Sequence, residues 1–319
     1  MGRYAPLSER GALAYALREG LIATVAGQDL LVAARHGRNS AFILRAPANR
    51  PGLFLKQARD GNAADAAIGR EARLLLALEG QGITPPLIRW DESAGIICVA
   101  EIEPAPVPPL PRDAVRALAS ALARLHRLPP PATQDAVPPL VTDPRFWHGM
   151  AERAPLFADL VRQAPGLAQD CMRAGAIFRR SAMVHGDAKV QNLLMPPGRP
   201  AALIDLELGG AGDPAWDIGC MIADALMTAL LAASDEAGFE QAVQDAADWT
   251  AAGLAAYGTP LHPRDPADLG RMAALACVTS VFTQLQGVQD LTRAPLSLMQ
   301  MAIGGLADPA GFWAALHAG

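Results

Sequence analysis

The run Val184-His185-Gly186-Asp187-Ala188-Lys189-Val190-Gln191-Asn192 places a carboxamide five positions after a carboxylate, in a polar loop flanked by short apolar stretches. Phosphoryl transfer to a hydroxyl needs this pairing. One Asp accepts the hydroxyl proton and aligns the nucleophile, and an Asn oxygen helps hold a metal on the phosphates. A second stretch, Ala202-Leu203-Ile204-Asp205-Leu206-Glu207, reads as an apolar strand ending in two acids. A carboxylate beside the first loop would hold the magnesium that bridges the terminal phosphates. Glu207 has two readings, a third metal ligand or a surface acid. Shortly after comes Gly212-Asp213-Pro214-Ala215-Trp216-Asp217.

These three ordered motifs, His185-Gly186-Asp187 with Asn192, Ile204-Asp205-Leu206-Glu207, and Gly212-Asp213-Pro214 with Asp217, closely resemble those of the aminoglycoside-phosphotransferase and choline-kinase-like family, which shares the protein-kinase fold. The resemblance implies an ATP- and Mg²⁺-dependent kinase with Asp187 as catalytic base and Asn192 and Asp205 as metal ligands. It makes Asp217 a buried acid that steadies the catalytic loop from the following helix. Phe54-Leu55-Lys56 resembles the strand whose lysine contacts the α- and β-phosphates. Arg70 to Leu75 resembles the helix whose glutamate, here Glu71, pairs with that lysine. His36 to Phe42 is similar to the family's phosphate-covering loop, which puts Gly37, Asn39 and Ser40 at the nucleotide. Ile97 to Pro104 resembles the hinge strand, so that the Glu101 carbonyl and the Glu103 amide would face the adenine. Leu122 to Leu128 resembles the family's core helix. The likeness runs from roughly Gly37 to Asp217 and is densest after Val184.

Two positions depart from the family pattern. The phosphate loop has one Gly where many kinases have two or three. Lys189 stands where the aminoglycoside kinases usually carry His. In that place it resembles the catalytic loop of Ser/Thr protein kinases, where such a lysine contacts the γ-phosphate and the attacking hydroxyl. Lys189 is therefore counted with Asp187 as catalytic.

Three functions follow in order. The first is a kinase acting on a hydroxyl of a small molecule, aminoglycoside-like or another natural product. The second keeps the fold and moves the phosphate to a Ser or Thr of a ribosomally made peptide during lanthipeptide-type maturation, which Lys189 favours. The third is a catalytically silent, pseudokinase-like nucleotide binder. Intact Lys56, Asp187, Asn192 and Asp205 argue against the third. The acids Asp235, Glu236, Glu240 and Asp245 could draw a cationic acceptor, although such charges usually only solvate a helix.

These residues need a scaffold, and the sequence outlines one. Leu7 to Glu19 has helical spacing with Ser8 as a cap. From Leu21 to Ala58, short apolar runs (30–34, 40–44, 52–56) alternate with Gly, Asn and Pro, as in an antiparallel meander. Asn62 to Glu79 reads as one helix, and 87–90 and 96–101 as two more strands. The Pro-rich stretch Glu103 to Pro111 marks the lobe boundary. That gives residues 1–102 as a nucleotide-binding lobe and 103–319 as a catalytic and substrate lobe. Beyond the boundary Arg112 to Arg127 is amphipathic, Phe146 to Arg179 reads as two helices, and Pro214 onward is Ala- and Leu-rich helix. Strand-like pieces at 183–194 and 201–206 are the only interruptions. The fold class is α+β: a bilobal kinase-like protein with a small antiparallel N-lobe carrying one helix and a larger, mostly α-helical C-lobe.

Composition agrees. The chain has 319 residues, 51% apolar and 18% charged, enough to bury a sizeable core. A formal charge of −5 and the lack of any longer basic cluster than Arg179-Arg180, read as a solvated helix end, exclude a nucleic-acid binder. The four cysteines (Cys98, Cys171, Cys220, Cys277) are scattered without a C-x-x-C pair, which reads as reduced, buried thiols in a cytoplasmic protein. The longest apolar run, Met221 to Ala233, contains Asp224 and is too short to span a bilayer, so no membrane role is expected. His36, His126, His148, His262 and His317 share no metal-ligand spacing. His185 reads as a structural hydrogen-bonder, and Trp147, Trp216 and Trp249 as packing, with Trp249 also a candidate to line a substrate cleft.

Overall fold

In the computed structural model, the described residues are 7–22, 31–36, 39–45, 52–58, 61–103, 111–136, 140–258 and 264–317. They divide into two compact units, Met1–Pro106 with Leu194–Leu208, and Val107–Leu193 with Gly209–Gly319. The late segment 194–208 belongs to the first unit, which puts Asp205 and Glu207 in the same body as Lys56.

The first unit is built on an antiparallel sheet of β1 (Leu31–His36), β2 (Ser40–Arg45), β3 (Leu53–Gln57), β4 (Leu87–Asp91) and β5 (Ile96–Ala100), in the order β1-β2-β3-β5-β4. Lys56 lies on β3 between paired neighbours, Ala41 on one side and Ile97 on the other. It is therefore not an edge charge. Two helices serve this sheet. In α1 (Glu9–Arg18) the Ser8 hydroxyl accepts the Gly11 N–H at 3.1 Å, and Glu9 and Arg18 sit at the ends that the helix dipole favours. The inner faces of α1 and the sheet meet in a core of Ala12, Tyr15, Ala16, Phe42, Leu44, Leu53, Leu55, Ile96 and Cys98. Buried Gln57, next to Lys56, accepts the Leu7 N–H and donates to the Ala94 carbonyl, tying α1 and the β4–β5 turn to the lysine strand. The other helix, α2 (Gly61–Ala77), carries Glu71 on its buried side. The first unit also holds a short strand of the late segment, numbered with the rest of the chain below.

The second unit is mostly helical. It begins with α3 (Pro111–His126), followed by α4 (Pro144–Arg153), α5 (Pro155–Arg162) and α6 (Leu167–Gly175). The strands β6 (Ala182–Val184), β7 (Leu193–Leu194), β8 (Ala202–Leu203) and β9 (Gly210–Gly212) come next in the chain, with β8 in the first unit. Then follow α7 (Pro214–Ala232), α8 (Glu236–Tyr257), α9 (Pro266–Gln284), α10 (Arg293–Ala307) and α11 (Pro309–His317). Asp-Pro pairs start α4, α7 and α9: the Asp143, Asp213 and Asp265 carboxylates accept backbone N–H groups of the first turn, and the proline fills the first helical position, where no donor is needed. Phe146, Phe157 and Phe282 meet edge to face, with Phe146 and Phe282 centroids 4.7 Å apart.

Three readings of the sequence need correction. Residues 146–179 hold three helices, because Pro155 biases Ala154 out of the helical region (φ −150°) and opens a new helix. Gly210-Ala211-Gly212 has no strand propensity, yet β9 pairs antiparallel with β6. Its glycines permit this, since a side chain at Gly212 would collide with Val184 at 2.5 Å. Arg179-Arg180 lies outside any helix. The Arg179 N–H donates to Asp213, and Arg180 pairs with Asp135 at 2.8 Å.

Helix α7 is the described helix long and apolar enough to cross a membrane, and 72% of its apolar window is buried within the protein. Gly219 lets it run close to α9, where a Cβ would stand 2.7 Å from the Met272 carbonyl oxygen.

Candidate active site

Two groups of functional side chains emerge, one in each unit. In the first, β3 delivers Lys56 and α2 delivers Glu71. The Lys56 ammonium lies 2.7 Å from Glu71, 2.5 Å from Asp205 and 3.5 Å from Glu207. Lys56 is 9% exposed, so it is an ammonium held away from bulk water by paired acids. Burial alone would lower its pKa. The carboxylates of Glu71, Asp205 and Glu207 outweigh that effect and raise it, so the charge is kept. Asp205 has φ of 61°, the one positive φ on a non-glycine residue among those described. A left-handed Asp costs about 1–3 kcal/mol and persists where the surroundings fix it. That conformation aims the carboxylate at Lys56.

Glu71, Asp205 and Glu207 each offer an oxygen, and these atoms lie within 4.8 Å of one another. Such an all-oxygen donor set suits a hard divalent cation such as Mg²⁺. Of the phosphate-loop residues, Asn39 is buried and donates from Nδ2 to Glu207 at 3.3 Å, while its Oδ1 is buried without a hydrogen-bond partner. Ser40 is buried on β2. Gly37 lies outside the described residues. At the expected hinge, the Glu101 N–H donates to the Gly52 carbonyl at 2.7 Å, and the Glu101 carboxylate pairs with Arg45 at 2.8 Å. Exposed Glu103 lies 4.0 Å from the same arginine. Among the described residues, the Glu101 carbonyl and the Glu103 N–H enter no backbone hydrogen bond.

The second group is a loop pinned to α7. Gly186 has φ of 85°, which lets the chain turn sharply between β6 and the base. Asp217 is fully buried and accepts the His185 N–H at 2.7 Å and the Gly186 N–H at 2.8 Å. Trp216 Nε1 donates to the Gly186 carbonyl at 2.8 Å. The Asp187 N–H donates to His185 Nδ1 at 3.2 Å, so His185 acts as a structural acceptor.

The Asp187 side chain is half held. Its Oδ2 accepts from Lys189 at 2.6 Å and from Asn192 Nδ2 at 3.2 Å. The same amide donates to the Asp187 main-chain carbonyl at 2.9 Å. Asp187 Oδ1 takes no hydrogen bond among the described residues. A carboxylate with one oxygen fixed and the other open can receive a proton from a substrate hydroxyl.

Several contributors were not singled out from the sequence. His126 Nε2 lies 2.9 Å from Asp217, and its Nδ1 lies 2.7 Å from the Tyr257 hydroxyl. A carboxylate only accepts, so Nε2 carries a proton toward Asp217, and Nδ1 shares a hydrogen bond with the Tyr257 hydroxyl. This chain of bonds ties the ends of α3 and α8 to the loop. Asp224 accepts the Val190 N–H at 2.8 Å. The Ala188 N–H faces the sulfur of Cys220. Asp217, Cys220 and Asp224 are spaced i, i+3 and i+7, which lines them along one face of a helix. That spacing, with an Asp inside an otherwise apolar run, was a readable sign. Of the acids considered for drawing a cation, Asp235 caps α8 and Asp245 accepts from Gln241.

Comparison with known proteins identifies the family and the fold. The sequence model of the phosphotransferase enzyme family matches residues 31–266. No curated protein matches the chain. Among solved structures, choline kinase LicA from Streptococcus pneumoniae is 16% identical, with TM-score 0.58, covering 94% of this chain and 99% of that one. A choline/ethanolamine kinase family protein from Mesorhizobium loti is 18% identical, with TM-score 0.59, covering 98% and 100%. APH(2")-IIa, in a ternary complex with streptomycin and ATP, is 15% identical, with TM-score 0.55, covering 88% and 96%. At such identities the likeness is one of fold, and it is to the bilobal kinase architecture. With the family's own model matching most of its length, the chain belongs to the phosphotransferase enzyme family and is a kinase whose phosphate acceptor is a hydroxyl group.

Proposed function

We propose that this kinase moves the γ-phosphoryl group of ATP to a hydroxyl of a small molecule, an aminoglycoside-like or other natural product, with Mg²⁺ on the phosphates. The observation that carries this reading is Asp187: one carboxylate oxygen is fixed by Lys189 and Asn192, and the other is open.

The residues divide the work. Lys56, kept charged by its acids, binds the α- and β-phosphates. Glu71 holds Lys56 in place. Asn39 and Ser40 contribute to the phosphate loop, with Gly37, and the Glu101 carbonyl and Glu103 N–H meet the adenine. Asp205 and the Asn192 side-chain oxygen are the residues that would hold the metal, which would supply positive charge to offset that of the phosphates. Asp187 Oδ1 accepts the hydroxyl proton as the acceptor oxygen forms its bond to the γ-phosphorus. The bond from that phosphorus to the β–γ bridging oxygen breaks, and ADP leaves with the electron pair. Lys189, beside Asp187, offsets charge on the γ-phosphate as it moves.

A second reading, a peptide Ser or Thr as acceptor, is favoured by one observation. The Lys189 ammonium stands 2.6 Å from Asp187, at the place where the resemblance puts the catalytic-loop lysine of Ser/Thr protein kinases. Incubation with γ-labelled ATP and Mg²⁺ against aminoglycosides, choline and Ser-containing peptides separates the two. Label on a small molecule supports the first reading. Label on peptide alone replaces it with the second. ATP that binds but is never turned over, even with water as acceptor, sinks both.

A further inference from the structure

Helix α7 touches the catalytic loop at both ends, and the far contact has no role in the reading above. Asp217 grips the loop's start through the His185 and Gly186 N–H groups. Two turns further along the same helix, Asp224 accepts the Val190 N–H at 2.8 Å. Between these contacts lie Asp187 and Lys189, so the two acids bracket the reacting residues. Asp224 is half-buried in a helix whose other residues from Met221 to Leu230 are apolar except Thr228. A carboxylate in such a place is costly unless it has a partner. Its second oxygen takes no hydrogen bond among the described residues. Both the Lys189 ammonium and the Asp187 carboxylate lie close enough to act electrostatically on it.

We propose that Asp224 is a positioning residue for phosphoryl transfer: by fixing the Val190 N–H from α7, it holds the backbone next to Lys189 and so sets where the Lys189 ammonium stands beside Asp187. The physical reason lies in the loop's chemistry. Lys189 has a long, flexible stem, and a point charge on such a stem is placed by its surroundings rather than by its own geometry. Asp187 attracts it from one side. A second acid on a rigid helix adds a fixed charge on the side of the loop next to Lys189 and narrows the positions its ammonium can take beside the base. Holding the Val190 N–H fixes the backbone next to Lys189. The helix thus acts as a ruler, with Asp217 setting the base and Asp224 setting the lysine.

This inference rests on the assignment of Asp187 as base, and the experiment separates the two. Amide exchange of ¹⁵N-labelled full-length protein is followed for His185, Gly186 and Val190. Turnover is followed as phosphate released from Mg-ATP with water as acceptor. In Asp224→Ala the Val190 amide should exchange about 10-fold faster while His185 and Gly186 stay as in wild type, because Asp217 still holds them. The maximal rate should fall about 10-fold with the KM for ATP within twofold, since the Lys56 group is untouched. Asp224→Asn keeps a carbonyl oxygen for Val190 and should retain its protection. It should also show a reduced maximal rate, because the charge acting on Lys189 is gone.

Val190 exchanging at the wild-type rate in the Ala variant would overturn the proposal. So would all three amides loosening together, or full turnover in both variants. If Asp224→Ala does not fold, the Asn variant alone decides: lost protection at Val190, or an unchanged rate, rejects the proposal. Wild-type protein that binds Mg-ATP but releases no phosphate would count against Asp187 as base, while the exchange comparison would still decide whether Asp224 anchors the loop.

Discussion

The Lys56 ammonium and the Asp205 carboxylate lie 2.5 Å apart, one from the third strand of the sheet and the other from a segment that returns to it late in the chain. In this arrangement Lys56, proposed to bind phosphate, pairs with the acid proposed to hold the metal. On that reading, nucleotide and cation arriving together would exchange these partners, with phosphate oxygens for Lys56 and Mg²⁺ for Asp205. Asp205→Ala should therefore abolish magnesium-dependent nucleotide binding, as read by calorimetry with and without Mg²⁺. Asp205→Gly should lose the same dependence but be more stable than the Ala variant by about 1–2 kcal/mol, because glycine adopts a φ of 61° without the cost of a side chain. Wild-type magnesium dependence in either variant would remove Asp205 from the metal site.

Lys189 offers a second test. Its pair with Asp187 is about one-third exposed on both sides, and such pairs add little to stability. Lys189→Ala should leave the melting temperature within a degree or two. It should cut transfer to a neutral or peptide hydroxyl by about 10²-fold, as losing a charge-stabilising donor does. A polycationic acceptor brings ammonium groups of its own and should lose much less. Unchanged turnover with a lowered melting temperature would make Lys189 a structural partner only.

Much of this was legible in the sequence because the chemistry is local. Asp187 and Asn192 share one loop, Asp205 ends one apolar run, and an Asp-Pro pair announces the helix that carries Asp217. Spacing marked the Asp187–Asn192 pair and the acid at Asp205, and the resemblance supplied the role expected of Asp217. The Lys56–Glu71 pair was legible through resemblance, and their separation of 15 residues is bridged by α2 folding back on β3. What stayed hidden depends on tertiary packing. Tyr257 reaches His126 across 131 residues, and nothing around either residue marks the other. The pairing of β9 arises from glycines that permit close approach rather than from strand-forming side chains. Asp224 was read as a charge interrupting an apolar run, although its seven-residue offset from Asp217 already placed both on one helix face.

The burial of Asp224 gives a pH signature. Its pKa is raised, first by burial and further by Asp187, against the lowering pull of the Val190 N–H and Lys189. An acid whose folded pKa lies above its unfolded value destabilises the fold when ionised, and that cost disappears as pH falls through the folded pKa. Asp224→Asn should accordingly melt at or above the wild-type temperature at pH 7. The difference should shrink as pH is lowered into the range where Asp224 takes up its proton. A variant that is less stable at neutral pH, with a gap that does not close in acid, would mean that the ionised carboxylate is stabilising.

The central claim is that the open oxygen of Asp187 takes the proton from the attacking hydroxyl, and one substitution tests it most directly. Asp187→Asn keeps an oxygen for Lys189 and the shape of the loop but removes the base. Mg-ATP affinity by calorimetry should stay within about twofold of wild type. Phosphate transfer, to the best acceptor found or to water, should slow by about 10²–10⁴-fold, the range for loss of a general base. Turnover near the wild-type rate in this variant, with ATP binding intact, would contradict the account.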